Sequence, residues 1–433
     1  MTSQTSVDKE AFLSNLEKQF SGISIEDALQ KIKSKAWDHL SELGLPSRNM
    51  EVYRYINLRK LYSQSFDPST PSNVEHQTIA PYVLPECTRS VLVFVNGHFQ
   101  PHLSNTEALP DRVVVTPMAK AIRTYGTFLN HQWARSLKEE TDPFAAMNAA
   151  LNRDSAFLYL PPKTSVDTPI QLLSVVDAKS KPLLMVPRCN VFVGAQSRLE
   201  MVSTQAILSG ESFFVNQCSE WILEEGAQVR YSQVNENTPE NAWHFDAVRA
   251  TLKRDSSFNT VSMTNGSVTV RNDYRIALMG ENSEVLLNGL WMLKDKKEAH
   301  TNVVIDHQAP HCRSKQLFKG VLNDNSRSSF EGKIIVRPEA QKTDAFQLNQ
   351  NLLLSNRANA ATKPNLEIFA DDVKASHGAT VGQLDKEQLF YLKTRGYTND
   401  AANNILVRGF CQEIMDLMRI PSLKEKCNVH FLD

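Results

Sequence analysis

Residues 194–202 read GAQSRLEMV, and residues 226–234 read GAQVRYSQV. Each unit starts with small or polar residues that favour a tight turn and continues as a short strand of alternating character. Three further units of this form begin at Asp255 (DSSFNTVSM), Gly280 (GENSEVLLNGL) and Asn323 (NDNSRSSFEGKI). Sequence repeats of about 20–50 residues are typical of solenoids. The repeat therefore predicts a mainly β fold, a parallel β-helix, and leaves a β-sandwich as the alternative.

Segments with a helical period flank this repeat. Apolar residues at three- and four-residue spacing from Leu29 to Leu43 predict a helix, with a capping box at residues 24–27. Helical patterns return after the repeat. We expect three regions: a mostly helical N-terminal region (1–155), a β-helix core (156–382) and a C-terminal helical region (383–433).

The composition bears on partners and compartment. The chain of 433 residues has 47 Lys and Arg against 48 Asp and Glu, so bulk charge does not attract nucleic acid or an anionic membrane. We expect neither as a partner. The N-terminal sequence lacks the apolar segment of a signal peptide, and the six cysteines form no C-x-x-C pair. These features predict a cytoplasmic protein with reduced thiols.

A histidine-rich stretch, AHTNVVIDHQAPHCRSKQ (299–316), contains His300, His307, His311 and Cys312. Such side chains can bind zinc or iron, which keeps a stand-alone metal-dependent hydrolase as an alternative function. The spacing lacks the His-Glu-x-x-His pattern that supplies a catalytic base. In a strand, His307 and His311 would lie about 13 Å apart, too far for one metal unless a turn intervenes. The other interpretation is a set of polar side chains on a sheet face.

No motif indicates that the chain itself carries out catalysis. Phosphate-binding glycine loops and the G-x-S-x-G elbow are absent from the sequence. A β-helix can also belong to a carbohydrate-active enzyme, and that remains an alternative. Such enzymes usually present several acidic and basic residues along one groove, and no such cluster is visible here.

The stretch DDVKASHGATVG (371–382) places His377 among small residues. No large apolar residue lies within three positions of it, so the imidazole is uncrowded and another backbone can approach closely. One histidine cannot form a metal site alone. His377 is therefore either structural or a ligand whose co-ligands come from another chain.

Three stretches resemble the SufB/SufD family, the scaffold subunits of the SUF iron–sulfur cluster assembly machine. They are FEGKIIVRPEAQKTDAFQLNQNLLLS (330–355), PNLEIFADDVKASHGATVG (364–382) and LFYLKTRG (389–396). Weaker matches are GLPSR (44–48), FVNG (94–97) and DPFAAMN (142–148). The form SHGATVG resembles the SufD branch, although Ala375 stands where many members have cysteine. Tyr53 stands where a tryptophan is common.

The resemblance implies a right-handed parallel β-helix flanked by N-terminal and C-terminal helical regions. It also implies a non-catalytic scaffold subunit of a SufBCD complex, paired with SufB and bound to the ATPase SufC. A nascent iron–sulfur cluster would be held transiently at the SufB interface by His377 and a SufB cysteine, with no cofactor tightly bound in the isolated chain. Without SufB, two copies of the chain could pair with each other.

The resemblance also implies roles for residues near these motifs. The residues expected to support His377 are Asp371, Asp372, Lys374 and Ser376. The region expected to dock SufC contains Leu389, Phe390, Leu406, Phe410 and Ile414. Since the apolar stripe of the second C-terminal helix could equally pack on the protein's own core, both interpretations stay open from the sequence.

Overall fold

The computed structural model describes residues 2–23, 29–179, 181–236 and 238–429. Their chain winds into a two-sheet parallel β-helix of about eight coils, with helices before and after it. The predicted β-helix is confirmed. The sandwich alternative is wrong, because consecutive coils pair in parallel through both sheets. The capping box expected at residues 24–27 lies outside the described residues.

The helices lie at the two ends of the sequence. They are α1 (Thr2–Ser21), α2 (Gln30–Leu43), α3 (Leu58–Tyr62), α4 (His76–Ile79), α5 (Met118–Glu139), α6 (Pro143–Leu151), α7 (Lys386–Thr394), α8 (Asn399–Met415) and α9 (Pro421–Val429). Short 3₁₀ helices occupy Glu51–Tyr53, Ala80–Tyr82 and Pro85–Cys87. Within the described ranges, no helix combines the length and apolarity needed to cross a membrane.

The strands form two sheets. They are β1 (Asp67–Pro68), β2 (Val91–Val95), β3 (His98–Phe99), β4 (Val114–Pro117), β5 (Ala156–Leu160), β6 (Ile170–Asp177), β7 (Leu183–Met185), β8 (Arg188–Val193), β9 (Arg198–Ser209), β10 (Phe213–Leu223), β11 (Gln228–Asn235), β12 (Trp243–Leu252), β13 (Ser257–Thr264), β14 (Thr269–Leu278), β15 (Glu284–Leu293), β16 (Glu298–His307), β17 (Arg313–Leu322), β18 (Arg327–Val336), β19 (Asp344–Leu353), β20 (Asn359–Ile368) and β21 (Lys374–Gly382). Sheet A runs β20-β18-β16-β14-β12-β10-β8-β5-β4, with β7 and β1 beside it, and sheet B runs β21-β19-β17-β15-β13-β11-β9-β6-β2-β3. Each complete coil therefore contributes one strand to each sheet.

Side chains from successive coils stack in register inside the β-helix. One inward ladder of sheet A consists of Leu158, Val191, Trp221, Ala250, Ile276, Ile305, Ile334 and Leu366. Every member except the last is buried. Full burial of an isoleucine or leucine side chain stabilises the fold by about 1.5–3 kcal/mol. The ladder thus contributes to stability and fixes the register between coils.

One corner of each coil explains the repeated turn sequence. The residue at this corner has a positive φ of 56–68° in seven successive coils: Lys163, Gln196, Gly226, Asp255, Asn282, His311 and Lys342. Each backbone N–H donates to a carbonyl of the next coil over 2.6–3.1 Å. The following residue is small and buried each time: Thr164, Ser197, Ala227, Ser256, Ser283, Cys312 and Thr343.

Four of the five sequence units begin at this corner. The unit at Asn323 instead forms the opposite corner, where Asp324 has a φ of 52° and Ser326 is buried before β18 of sheet A. The five sequence units therefore come from two different corners of the coil. Both kinds of corner place a residue in the left-handed region. At the opposite corner the following residue is not small, since Asn325 follows Asp324 and Lys296 follows Asp295.

Asp142 joins the N-terminal helices to sheet A. Its Oδ1 accepts hydrogen bonds from the backbone N–H groups of Phe144 (2.9 Å) and Ala145 (3.1 Å), which caps α6. Its Oδ2 accepts from the Tyr53 hydroxyl (2.6 Å) and from Arg271 (2.7 Å). All four partners are buried, so a buried, hydrogen-bonded ion pair anchors the start of α6 and Tyr53 to sheet A.

The interior also contains a buried carboxyl group, that of Asp246 on β12. Its Oδ2 accepts hydrogen bonds from Gln217 (3.2 Å) and Gln233 (2.5 Å). Burial raises the pKa of Asp246 to about 7, although these hydrogen bonds and Arg249 act in the opposite direction. Burial lowers the pKa of the neighbouring His244 to about 4.

We expect Asp246→Asn to stabilise the protein, and to do so more at pH 8 than at pH 5. The folded-state pKa of Asp246 lies above its unfolded value of about 3.9, so the native state binds more protons between those values and stability falls as the pH rises through that window. The gain in the free energy of unfolding should be about 2–3 kcal/mol larger at pH 8. Urea unfolding of the wild-type protein and of Asp246→Asn at both pH values measures this difference. His244 titrates alike in the two proteins, so it does not contribute to the difference. An equal gain at the two pH values would contradict the assignment.

Candidate functional site

The last coil leaves one end of the β-helix open. Strands β20 and β21 are the terminal strands of sheets A and B, each paired on one side only within the described chain. The N–H of Lys374 donates to the carbonyl of Thr343 in the preceding coil (2.8 Å). Because alternate residues of a parallel strand bond to the same neighbour, the N–H groups of residues 375, 377, 379 and 381 point to the open side. Four apolar side chains are exposed on this coil and its corners: Leu354, Ile368, Phe369 and Val381.

His377 lies on this terminal strand. Its register partner is Gln347 of β19, and parallel partners carry their side chains on the same face. Ala345, Gln347, Asn349 and Asn351 are buried and alternate with less buried residues. Those buried residues face the interior of the β-helix. The imidazole of His377 thus lies on the interior face of the last coil, yet it is exposed because no further coil covers it.

The four residues expected to support His377 lie elsewhere on the coil. Ser376 and Lys374 occupy the opposite face of β21, since neighbouring residues of a strand alternate. Asp372 lies at the corner, where its carboxylate pairs with the ammonium group of Lys342. Asp371 is exposed in the same turn. The structure gives these four no contact with the imidazole, so their supporting role stays a prediction.

Gln347 was not among the site residues predicted from the sequence. In the stretch DAFQLNQN (344–351), the polar residues Gln347, Asn349 and Asn351 recur at every second position of a buried strand. Two coils earlier on this sheet, the register positions of Ala345 and Gln347 are occupied by the apolar residues Val285 and Leu287 of β15. This recurrence of amide side chains at every second position was the feature of the sequence that could have identified Gln347.

The three histidines of the 299–316 stretch do not converge. His300 Nδ1 lies 2.7 Å from the Ser329 hydroxyl, and His307 Nε2 lies 2.9 Å from the Ser314 hydroxyl. Burial lowers the pKa of His307 to about 4. His311 is a corner residue with a φ of 60°. The interpretation as polar side chains of a sheet therefore fits, and no group of three or more His, Cys, Asp or Glu side chains in the described part of the chain could hold a metal ion.

The cysteines offer no reactive thiolate. All six are buried and free: Cys87, Cys189, Cys218, Cys312, Cys411 and Cys427. Burial raises the pKa of Cys87, Cys189, Cys218 and Cys411 to about 12 each, and that of the other two thiols above its usual range. Since the thiolate is the metal-binding form, these side chains remain protonated near neutral pH.

The C-terminal helices combine core packing with an exposed surface. Ile414 and Cys411 of α8 are fully buried against Leu317 and Val321 of sheet B. Leu406, Phe410 and Leu389 are partly buried. Thus α8 packs its stripe largely on the protein's own core.

Other apolar side chains of these helices face solvent. Phe390 on α7 is 69% exposed, and Asp385 caps this helix by accepting a hydrogen bond from the N–H of Glu387 (2.7 Å). Tyr391, Tyr397 and Ile405 are also exposed. We call Phe390, Tyr391, Tyr397 and Ile405 the α7–α8 surface.

Comparison with known families identifies the chain. Residues 175–410 match the model of the SUF system FeS cluster assembly SufBD core domain, and residues 14–172 match the SufBD protein N-terminal region. The chain belongs to the SufB/SufD family. This SufB/SufD chain is 30% identical over 435 residues to an iron–sulfur cluster assembly SufBD family protein of Synechocystis, covering 97% of this chain and 94% of the relative.

Two further relatives of this SufB/SufD chain match along most of its length. The iron–sulfur cluster assembly protein SufD of Escherichia coli is 27% identical, with 92% of this chain and 91% of SufD covered. A chloroplastic protein of Arabidopsis thaliana is 25% identical, with 93% and 85% covered. Membership of an iron–sulfur cluster assembly family agrees with the resemblance noted in the sequence.

Proposed function

We propose that the chain is a SufD-type scaffold subunit of a cytoplasmic SUF complex. It pairs with SufB, binds the ATPase SufC and catalyses no reaction itself. The observation that carries this proposal is the open end of the β-helix, which presents a solvent-exposed histidine among small residues. Family membership supports the role in iron–sulfur cluster assembly.

The open end supports pairing with a second β-helix. Strands β20 and β21 present unpaired backbone groups and the exposed side chains of Ile368, Phe369 and Val381. A free sheet edge is a template for a strand of another chain. SufB shares the family and therefore a comparable end. In its absence, two copies of this chain would pair through the same surface.

The iron–sulfur cluster is cargo in this proposal and is bound only while it is being assembled. His377 provides an imidazole nitrogen, which suits iron, whereas the buried thiols of this chain remain protonated. The thiolate ligands must then come from SufB. Since one subunit provides the histidine ligand and the other the cysteine, the site is complete only when the two subunits are paired.

The α7–α8 surface supports the binding of SufC. It belongs to the helices that follow β21 and consists of solvent-exposed aromatic and apolar side chains, of which Phe390 is the most exposed. Aromatic residues are the usual energetic centres of protein interfaces. Of the five residues first expected to dock SufC, Phe390 is the most accessible and Ile414 is fully buried.

We expect His377→Ala to abolish cluster assembly by the SufBCD complex while leaving the complex intact. His377 is exposed on the last strand, so its truncation removes a ligand and little packing. The measurement is cluster formation on purified complexes, followed by absorbance and iron content. His311→Asn is the matched control, because asparagine tolerates the positive φ of that corner. Normal cluster formation by His377→Ala would overturn the proposed role.

We expect two charge substitutions to separate the partner surfaces. Phe390→Asp should weaken SufC binding about 30-fold, as a hot-spot loss of about 2 kcal/mol implies, and leave SufB binding unchanged. Phe369→Asp, at a side chain 60% exposed on the open end, should do the reverse. Titration calorimetry with each partner measures both. If Phe390→Asp leaves SufC affinity intact, SufC docks elsewhere.

A further inference from the structure

A column of polar side chains leads from the interior of the β-helix to His377. Along one ladder of sheet B, Leu287 is followed by Gln316, Gln347 and His377 in successive coils. Gln347 is completely buried, and its Nε2 donates to Oε1 of Gln316 (3.0 Å). The last two coils before His377 thus carry amide side chains at this position of the ladder.

Gln347 has an acceptor atom that nothing within the described chain satisfies. Its Oε1 is buried and has no hydrogen-bond partner, which is unfavourable for an amide oxygen removed from water. Because the Nε2 of Gln347 already donates to Gln316 in the preceding coil, Oε1 is the atom of the amide that has no partner. The next residue on the ladder is His377, one strand spacing of about 4.8 Å away.

Gly332 keeps room for this amide. Gly332 lies on the interior face of β18 in sheet A, across from Gln347, and a Cβ atom there would overlap the Gln347 Nε2. A glycine in the middle of a strand normally weakens the strand. Here it lets the Gln347 amide approach the backbone of β18 closely. The amide is therefore confined between Gly332 and Gln316.

We infer that Gln347 is a positioning residue for His377. In the assembled complex its Oε1 accepts a hydrogen bond from one ring N–H of His377, a bond that the isolated chain does not form. This bond fixes the tautomer and turns the lone pair of the other nitrogen toward the open end. Partners of this kind orient metal-binding histidines in many proteins. The inference rests on the proposed ligand role of His377 and adds the residue that prepares it.

The test uses the assembled SufBCD complex with ring-¹⁵N histidine in this chain only. Nitrogen NMR distinguishes the two ring nitrogens, and the spectrum of His377→Ala identifies the His377 signals among the 11 histidines. Gln347→Met keeps the length of the side chain but removes the acceptor. We expect it to convert one His377 tautomer into a mixture and to slow cluster assembly about tenfold.

Two further variants separate positioning from simple loss of a buried amide. Gln347→Glu retains an acceptor and should restore the tautomer and most of the assembly rate. Asn349→Leu removes a neighbouring buried amide whose register partner is Ala379, and should leave the His377 signals unchanged.

Each outcome decides one of the two claims. If Gln347→Met leaves the tautomer or the assembly rate unchanged while His377→Ala abolishes assembly, the positioning role is wrong and the proposed function stands. If Asn349→Leu changes the His377 signals as Gln347→Met does, the positioning role is also wrong. If the tautomer changes but His377→Ala assembles clusters normally, the hydrogen bond exists and the proposed function fails.

Discussion

In this β-helix every strand depends on hydrogen bonds to the coils before and after it. Inner strands therefore have partners on both sides, but the last coil has no following coil, so half of the backbone groups of its strands have no strand partner. In this chain the unpaired edges belong to β20 and β21, and neither edge pairs with another strand of the described chain. Water can solvate these edges, so the end is stable while it is available to a partner.

The same stacking determines what lies inside the open end. Interior side chains of successive coils stand in register, so each interior side chain meets its register partners in the coils before and after it. The ladder that includes Leu287 becomes polar at Gln316 and Gln347 and ends at His377. The buried Oε1 of Gln347 has no partner in the isolated chain, so the amide column offers the His377 ring an acceptor in the assembled complex.

The sequence predicts much of this architecture because the corners are encoded locally. A residue tolerant of positive φ and a small buried residue recur in each coil, and these recur visibly at Gln196, Asp255 and Asn282. The sequence could not show which corner a unit belongs to, because both corners use Asp or Asn at a position of positive φ. The Asn323 unit was grouped with the wrong corner for that reason.

Contacts that depend on the register between coils could also not be predicted from the sequence. Gln347 and His377 are 30 residues apart and become neighbours only through stacking, whereas Asp372 and Ser376 are close in sequence but lie at the corner or on the opposite face. On α8, the period of the apolar stripe predicted a helix but could not tell which face meets the sheet. Ile414 proved to be buried and Phe390, on the preceding helix, exposed.

Pulsed electron paramagnetic resonance of the cluster-loaded complex tests most directly whether the open end contributes a ligand. The complex is prepared twice, with ¹⁴N-histidine or ¹⁵N-histidine in this chain and an unlabelled SufB. We expect a histidine nitrogen to be coupled to the cluster, and we expect the signal of that nitrogen to change with the isotope in this chain. A loaded cluster whose spectrum is the same in both preparations would contradict it.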